Sequence, residues 1–123
     1  MKHTAKIRVM RVDDHFVVRA GLVVALTLNA EIEVVAECGS GEQAIEAYRK
    51  RRPDLVLMDR RLPGLNGVEA TAAILRDFPE ARIISLAATD GEEDIHRAVA
   101  AGVVRYLPKT MGRKELLAAI RAP

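Results

Sequence analysis

The 123-residue chain has one cysteine, no tryptophan, two tyrosines, two phenylalanines and no strong excess of either charge. Each scarcity excludes something. A lone Cys38 cannot close an internal disulfide and suits a reducing compartment, so the expected location is cytoplasmic. Four scattered aromatics (Phe16, Tyr48, Phe78, Tyr106) make no stacking platform for bases. A formal charge of +2 is too small to argue for nucleic acid by itself. The longest uncharged run, Ala20 to Ala30, falls well short of the ~20 residues a membrane span needs, and no partner membrane is expected. The N-terminus carries Lys2, Lys6 and Arg8 without an apolar core and small-residue cleavage site, so it does not read as a secretory signal. Half of the residues are hydrophobic, which argues against a disordered chain. The length fits one domain with an ordinary core.

What is present alternates. Short apolar runs read as strands at Ile7–Val12, Ile32–Cys38, Leu55–Met58, Arg82–Ala87 and Val103–Leu107. Between and after them come stretches of helical length: Phe16 to about Leu28, Ser40 to about Arg51, Val68–Asp77, Asp90 to about Ala101, and Gly112–Arg121. Ser40 with Gln43, and Asp90 with Glu93, carry the spacing of helix N-caps, and Gly102 is placed to end a helix. Five β/α units imply a parallel sheet covered on both faces. The predicted fold is α/β: a flavodoxin-like (βα)5 doubly wound sheet, strand order 2-1-3-4-5, in a single domain. In such a sheet the site lies outside the carboxyl ends of the strands.

The charged residues fall at those ends. Asp13 and Asp14 follow the first strand, Asp59 the third and Lys109 the fifth. Aspartate is common where loops begin, and any one of these could serve only turn chemistry. Together they form a pattern. Three converging carboxylates repel unless a cation joins them or protons are taken up. Oxygen donors without a Cys or His cluster favour Mg2+ or Mn2+ over zinc. A carboxylate beside such an ion can attack phosphorus, and a lysine offers a charge for a phosphoryl oxygen.

The segments IRVMRVDDH, DLVLMDRRLPGLNGVEA and AAGVVRYLPK resemble the receiver domains of two-component response regulators, over essentially the whole chain. The tandem Asp before His15, Met58-Asp59 before Pro63-Gly64, and Gly102 ahead of Tyr106 and Lys109 are most similar to the NarL/FixJ (LuxR-type) transcription regulators. The resemblance implies that Asp59 accepts the phosphoryl group. It implies that Asp14 binds Mg2+ directly and Asp13 largely through water. The backbone carbonyl of Arg61 would be a further metal ligand, Lys109 the phosphoryl contact, and Tyr106 the switch aromatic. The implied partners are a cognate sensor histidine kinase and a second copy of the chain. DNA would be reached only through a C-terminal helix-turn-helix domain that these 123 residues do not contain.

Three features depart from that family. At the position of its Ser or Thr at the end of the fourth strand stands Ala87, which has no hydroxyl; Ser85 lies two residues deeper and Thr89 two residues on. Arg11 occupies a central strand where the family has an aliphatic residue, on the same face as Asp13 by alternation. It is expected either to reach the acidic cluster or to lean out or pair with a helix carboxylate. Pro108 precedes Lys109, which suits an edge strand. The run Arg49-Lys50-Arg51-Arg52 closes a helix and complements its dipole.

Four function classes are open to such a chain. One is a phosphorylation-dependent signalling module, with the first and last helices as its contact surface. The second is a pseudo-receiver, an interaction module independent of phosphorylation, suggested by Ala87 and Arg11. An aspartyl phosphatase or mutase is disfavoured, because such enzymes need an acid two residues after the nucleophile and Arg61 stands there. The chain is therefore not expected to be an enzyme. A nucleotide-binding flavodoxin-like protein is disfavoured by the lack of a glycine-rich loop after the first strand.

Overall fold

A computed structural model describes residues 7–13, 32–59, 65–87, 100–108 and 113–121, with residues 87, 105–108 and 113–115 described at the backbone. The elements are β1 (Ile7–Val12), β2 (Ile32–Cys38), α1 (Gly41–Arg51), β3 (Leu55–Asp59), α2 (Gly67–Asp77), β4 (Ile83–Ala87), β5 (Arg105–Pro108) and α3 (Arg113–Arg121). The five strands form one sheet in the order β2-β1-β3-β4-β5, and every pairing is parallel. The expected helices over 16–28 and from Asp90 lie outside the described residues, apart from helical residues 100–101.

Each face of the sheet has its own core. On one, α1 and α2 place Ala44, Tyr48, Ala70 and Ile74 over Met10, Val12, Val56, Met58 and Ile83. On the other, α3 places Leu116, Ala119 and Ile120 over Val9, Leu55, Leu57, Ile84 and Leu86. That is why β3 is buried at every residue and reads as an unbroken apolar run. No helix among the described residues is long and apolar enough to cross a membrane.

The helix ends follow local chemistry. Ser40 accepts a hydrogen bond from the Gln43 amide at 3.2 Å, and the Gln43 side chain accepts from the Gly39 amide at 2.8 Å. α2 is started by Asn66, which forms a reciprocal capping box with Glu69. The helix starts at Gly67, one residue before the predicted Val68–Asp77. At the far end of α1, Arg52 takes a left-handed conformation (φ 45°) just ahead of Pro53, and its guanidinium lies 3.9 Å from the centre of the Phe78 ring. Arg8 of β1 donates to the carbonyls of Arg51 and Arg52 at 2.6 and 2.8 Å. A cation thus meets the helix C-terminus, where the dipole favours it. The run Arg49–Arg52 keeps its structural reading, with Arg49 and Lys50 both paired to Glu46.

The fifth strand differs from its prediction. It runs Arg105–Pro108, two residues later at its start. Val103 and Val104 precede it, and the Val104 amide donates to the Ile83 carbonyl at 2.8 Å. Their β-branched character suggested strand, but they lie in the approach from Gly102, whose φ of +104° ends the preceding helical turn. Pro108 is accommodated because β5 is an edge.

Gly41, the first residue of α1, packs against the chain entering α2. A Cβ there would lie 2.3 Å from the Leu65 carbonyl oxygen. Backbone cannot rotate aside as a side chain does. Gly41→Ala should therefore lower stability by about 1–3 kcal/mol, measured by urea unfolding; an unchanged midpoint would show that this contact yields freely.

Candidate functional site

The register of the central strands assembles the site. Val12 pairs with Met58, so the next residues, Asp13 and Asp59, stand at neighbouring strand ends. Both are buried: Asp13 is 0% and Asp59 2% exposed. The Asp13 amide donates to the Cys38 carbonyl at 2.9 Å, which fixes the chain as it leaves β1. Two carboxylates withdrawn from water at one edge are costly unless polar or charged groups stabilise them. Such an arrangement is more than turn chemistry requires.

Asp59 is also in register with Leu86, one residue before Ala87. Ala87 ends β4 and pairs with Pro108, while Ser85 pairs with both Met58 and Tyr106. The pairings therefore put Ser85 a level below Asp59, and it is buried. Tyr106 sits on edge strand β5 beside Ser85, one step below the Ala87–Pro108 level. Asp14, Arg61, Thr89 and Lys109 lie outside the described residues.

Among the described residues no three His, Cys, Asp or Glu side chains form a metal-binding group. The two that are described there, Asp13 and Asp59, present oxygen donors alone. That donor chemistry fits a hard divalent ion such as Mg2+.

Arg11 is the unusual member of this neighbourhood. It is fully buried on a central strand, two residues before Asp13. It forms an ion pair with Glu37 of β2, whose side chain is 48% exposed. Among the described residues Arg11 thus has a partner on the adjacent strand. A β-bulge makes the meeting possible. Ile7, Arg8 and Val9 pair with Ile32, Glu33 and Val34, whereas Met10, Arg11 and Val12 pair with Ala36, Glu37 and Cys38. Val35 is the extra residue. Before it, Ile32 and Val34 join the α3-side core; after it, Ala36 and Cys38 join the α1/α2-side core. The strand has changed phase, and Glu37 comes to the side of Arg11. Sequence alternation alone could not reveal this, because the bulge residue is an ordinary valine. Cys38 is buried beside the pair; burial pushes its thiol pKa up, with the Arg11 charge opposing and the Glu37 charge adding. It is a core residue.

The last helix keeps Leu116, Ala119 and Ile120 inside and leaves Ala118 exposed and Leu117 half-buried. The partner expected for it, the helix over 16–28, lies outside the described residues.

Comparison with known proteins converges. Residues 9–121 match the model of the response regulator receiver domain. The chain is 39% identical over 115 residues to the response regulator protein VraR of Staphylococcus aureus, covering 94% of this chain and 55% of that protein. It therefore spans about half the length of the curated relatives it matches. It is similar to the signal receiver domain of the response regulator NarL from Mycobacterium tuberculosis, with a TM-score of 0.88 and 31% identity over 98% of this chain and 100% of that one. A LuxR-family two-component response regulator from Aurantimonas sp. gives a TM-score of 0.89 and 36% identity, over 94% of this chain and 83% of that one.

The buried ion pair carries an asymmetry that can be measured. Replacing the pair together, Arg11→Met with Glu37→Leu, should leave stability unchanged or higher. Glu37→Ala removes this partner of the buried guanidinium and should cost about 1–3 kcal/mol, read from urea titrations of both variants. Equal losses would show that the guanidinium itself holds β1 to β2.

Proposed function

The chain belongs to the response regulator receiver family, and from that premise we propose that it accepts a phosphoryl group on Asp59 from the phosphohistidine of a sensor kinase. The observation that carries this reading is the pair of buried carboxylates, Asp13 and Asp59, at adjoining strand ends. Phosphorylation by a kinase is the general mechanism of such domains. Here a carboxylate oxygen of Asp59 would attack phosphorus, and the phosphorus–nitrogen bond to histidine would break with its electron pair leaving on the imidazole. Asp59 suits that role because β3 delivers it to the carboxyl edge and neighbouring strands hold its backbone. Asp13, Asp14 and Asp59, with the Arg61 carbonyl, would hold Mg2+; when bound, that ion offsets the charge gathered between carboxylates and phosphoryl oxygens. Lys109 would meet a phosphoryl oxygen from the end of β5.

The output follows from the same edge. Phosphorylation at Asp59 would bias strands β4 and β5 and the setting of Tyr106. In LuxR-type regulators the response is dimerisation and DNA binding, and we assign both to the whole protein from which such a receiver comes. The contact surface would combine the helix expected over 16–28 with the part of α3 that the described residues leave uncovered, Leu117 and Ala118. A second reading, a phosphorylation-independent interaction module, is favoured by Ala87 and by the buried Arg11.

Two experiments separate these readings. After incubation with acetyl phosphate and Mg2+, mass spectrometry should find one added phosphate on the wild type and none on Asp59→Asn. Persistence of the label in that variant would move the site, and absence from both would favour the phosphorylation-independent module. Ala87→Thr tests the switch. It restores a hydroxyl worth about 1.5–3 kcal/mol as a hydrogen bond to a charged acceptor. Labelling should change little, while phosphorylation-linked association or the absorbance change of Tyr106 should grow. A wild type that already responds fully, with no gain from threonine, would pass the role to another group such as Thr89.

A further inference from the structure

α2 begins where an asparagine is followed by a glycine, Asn66–Gly67. That dipeptide has a chemistry of its own. A main-chain amide nitrogen can attack the side-chain carbonyl carbon of a preceding asparagine, and glycine presents that nitrogen with no side chain to hinder it. Asn66 is exposed, so water and base reach it. Gly67 is the first helical residue, where an amide has no acceptor within the helix. Sequence and placement both favour the reaction.

The local geometry opposes it. Asn66 Oδ1 accepts from the Glu69 amide at 2.8 Å, and the Glu69 carboxylate accepts from the Asn66 amide at 3.2 Å. The two bonds fix the side chain and the backbone of the same residue. That backbone is extended, with φ −75° and ψ 173°. In this setting Asn66 Cβ and the Gly67 nitrogen are staggered about the bond from Cα to the carbonyl carbon, whereas a closed imide ring needs them nearly eclipsed. The chain entering the cap is tethered as well, the Leu65 amide donating to Glu42 at 3.3 Å. Ring closure therefore requires the cap to open first.

We propose that Asn66–Gly67 is a deamidation site whose rate is set by the capping box, with Glu69 as the group that holds it closed. When the cap opens, the Gly67 nitrogen gives its proton to base and bonds to Asn66 Cγ. The bond from Cγ to the side-chain nitrogen breaks, and ammonia leaves with a proton taken from water. Water then opens the cyclic imide at either carbonyl. Opening at Cγ leaves an aspartate; opening at the main-chain carbonyl leaves an isoaspartate, through whose former side chain the backbone now runs. In sum a water is consumed, an ammonium ion is released and nothing is oxidised or reduced. The two products differ in consequence. An aspartate still caps the helix and adds negative charge where the dipole favours it. An isoaspartate lengthens the backbone by a methylene and loses the cap, beside the point where Leu65 rests against Gly41.

The test follows ammonia release and the mass of the fragment carrying Asn66 while the 123-residue chain stands in mildly alkaline buffer, with an isoaspartyl methyltransferase to mark the isoaspartate. A free peptide of the sequence Leu65–Ala70 is the uncapped reference. The folded wild type should react at least about tenfold more slowly than the peptide. Glu69→Ala, at an exposed position, should react about three- to tenfold faster than the wild type, the factor by which losing a cap raises the opened fraction. Glu69→Gln keeps an acceptor for the Asn66 amide and should stay near the wild type. Asn66→Ser keeps the cap and should show no mass gain in that fragment. Ile120→Val weakens the core on the other face of the sheet and should leave the rate within about twofold, which separates local opening from global unfolding. A wild type as fast as the peptide, a Glu69→Ala rate equal to the wild type's, or an Ile120→Val acceleration matching that of Glu69→Ala overturns the inference.

Discussion

The register of β1 between β2 and β3 is the constraint on which the acidic edge depends. Its pairing with β3 brings Asp13 level with Asp59. Its pairing with β2 is irregular, and that irregularity gives the buried arginine a carboxylate. A sheet packed on both faces has no room for charge in its middle, so ionic groups gather where the strands end. Arg11 is the exception, and a single added residue in an edge strand accommodates it. The two central pairings thus do separate work: one lines up the chemistry, the other manages a charge.

Much of this was legible in the sequence because the relevant signals are local. Apolar runs with short helices between them give the parallel sheet, and the strand order follows from the commonest winding of five such units. Ser40, Gly102 and Pro108 announced a helix start, a helix end and an edge, and each stands in that place. Asp13 and Asp59 were legible for the same reason: strand ends can be counted, and parallel strands end together. What stayed hidden depends on pairing across distance. Val35 looks like any strand valine, so neither the change of phase nor the Arg11–Glu37 meeting could be seen. Arg8 reads as an early surface charge, yet it closes the end of α1. Val103 and Val104 show the opposite failure, where strong strand propensity lost to the geometry of the turn after Gly102.

Among the described residues, charge gathers at both edges of the sheet, with opposite sign. At the carboxyl edge, carboxylates are buried and close together. At the other, Arg8 and the end of α1 bring guanidinium groups to backbone carbonyls, and Asp54 accepts from the Arg8 amide at 2.8 Å. The cations there are satisfied locally by helix dipole, carboxylate and the Phe78 ring. They answer to folding.

Gly41 has a bearing on how such a chain can diverge. Leu65 rests against it, and the Leu65 amide also donates to Glu42 at 3.3 Å. Asp59 is held by the sheet. Residues 60–64 therefore bridge two moorings that belong to different parts of the molecule. Side-chain identity in a bridge can drift, but its span is set from outside. Inserted or lost residues would have to be absorbed by slack, and both moorings resist giving it. Along this stretch inheritance should be stricter about length than about spelling.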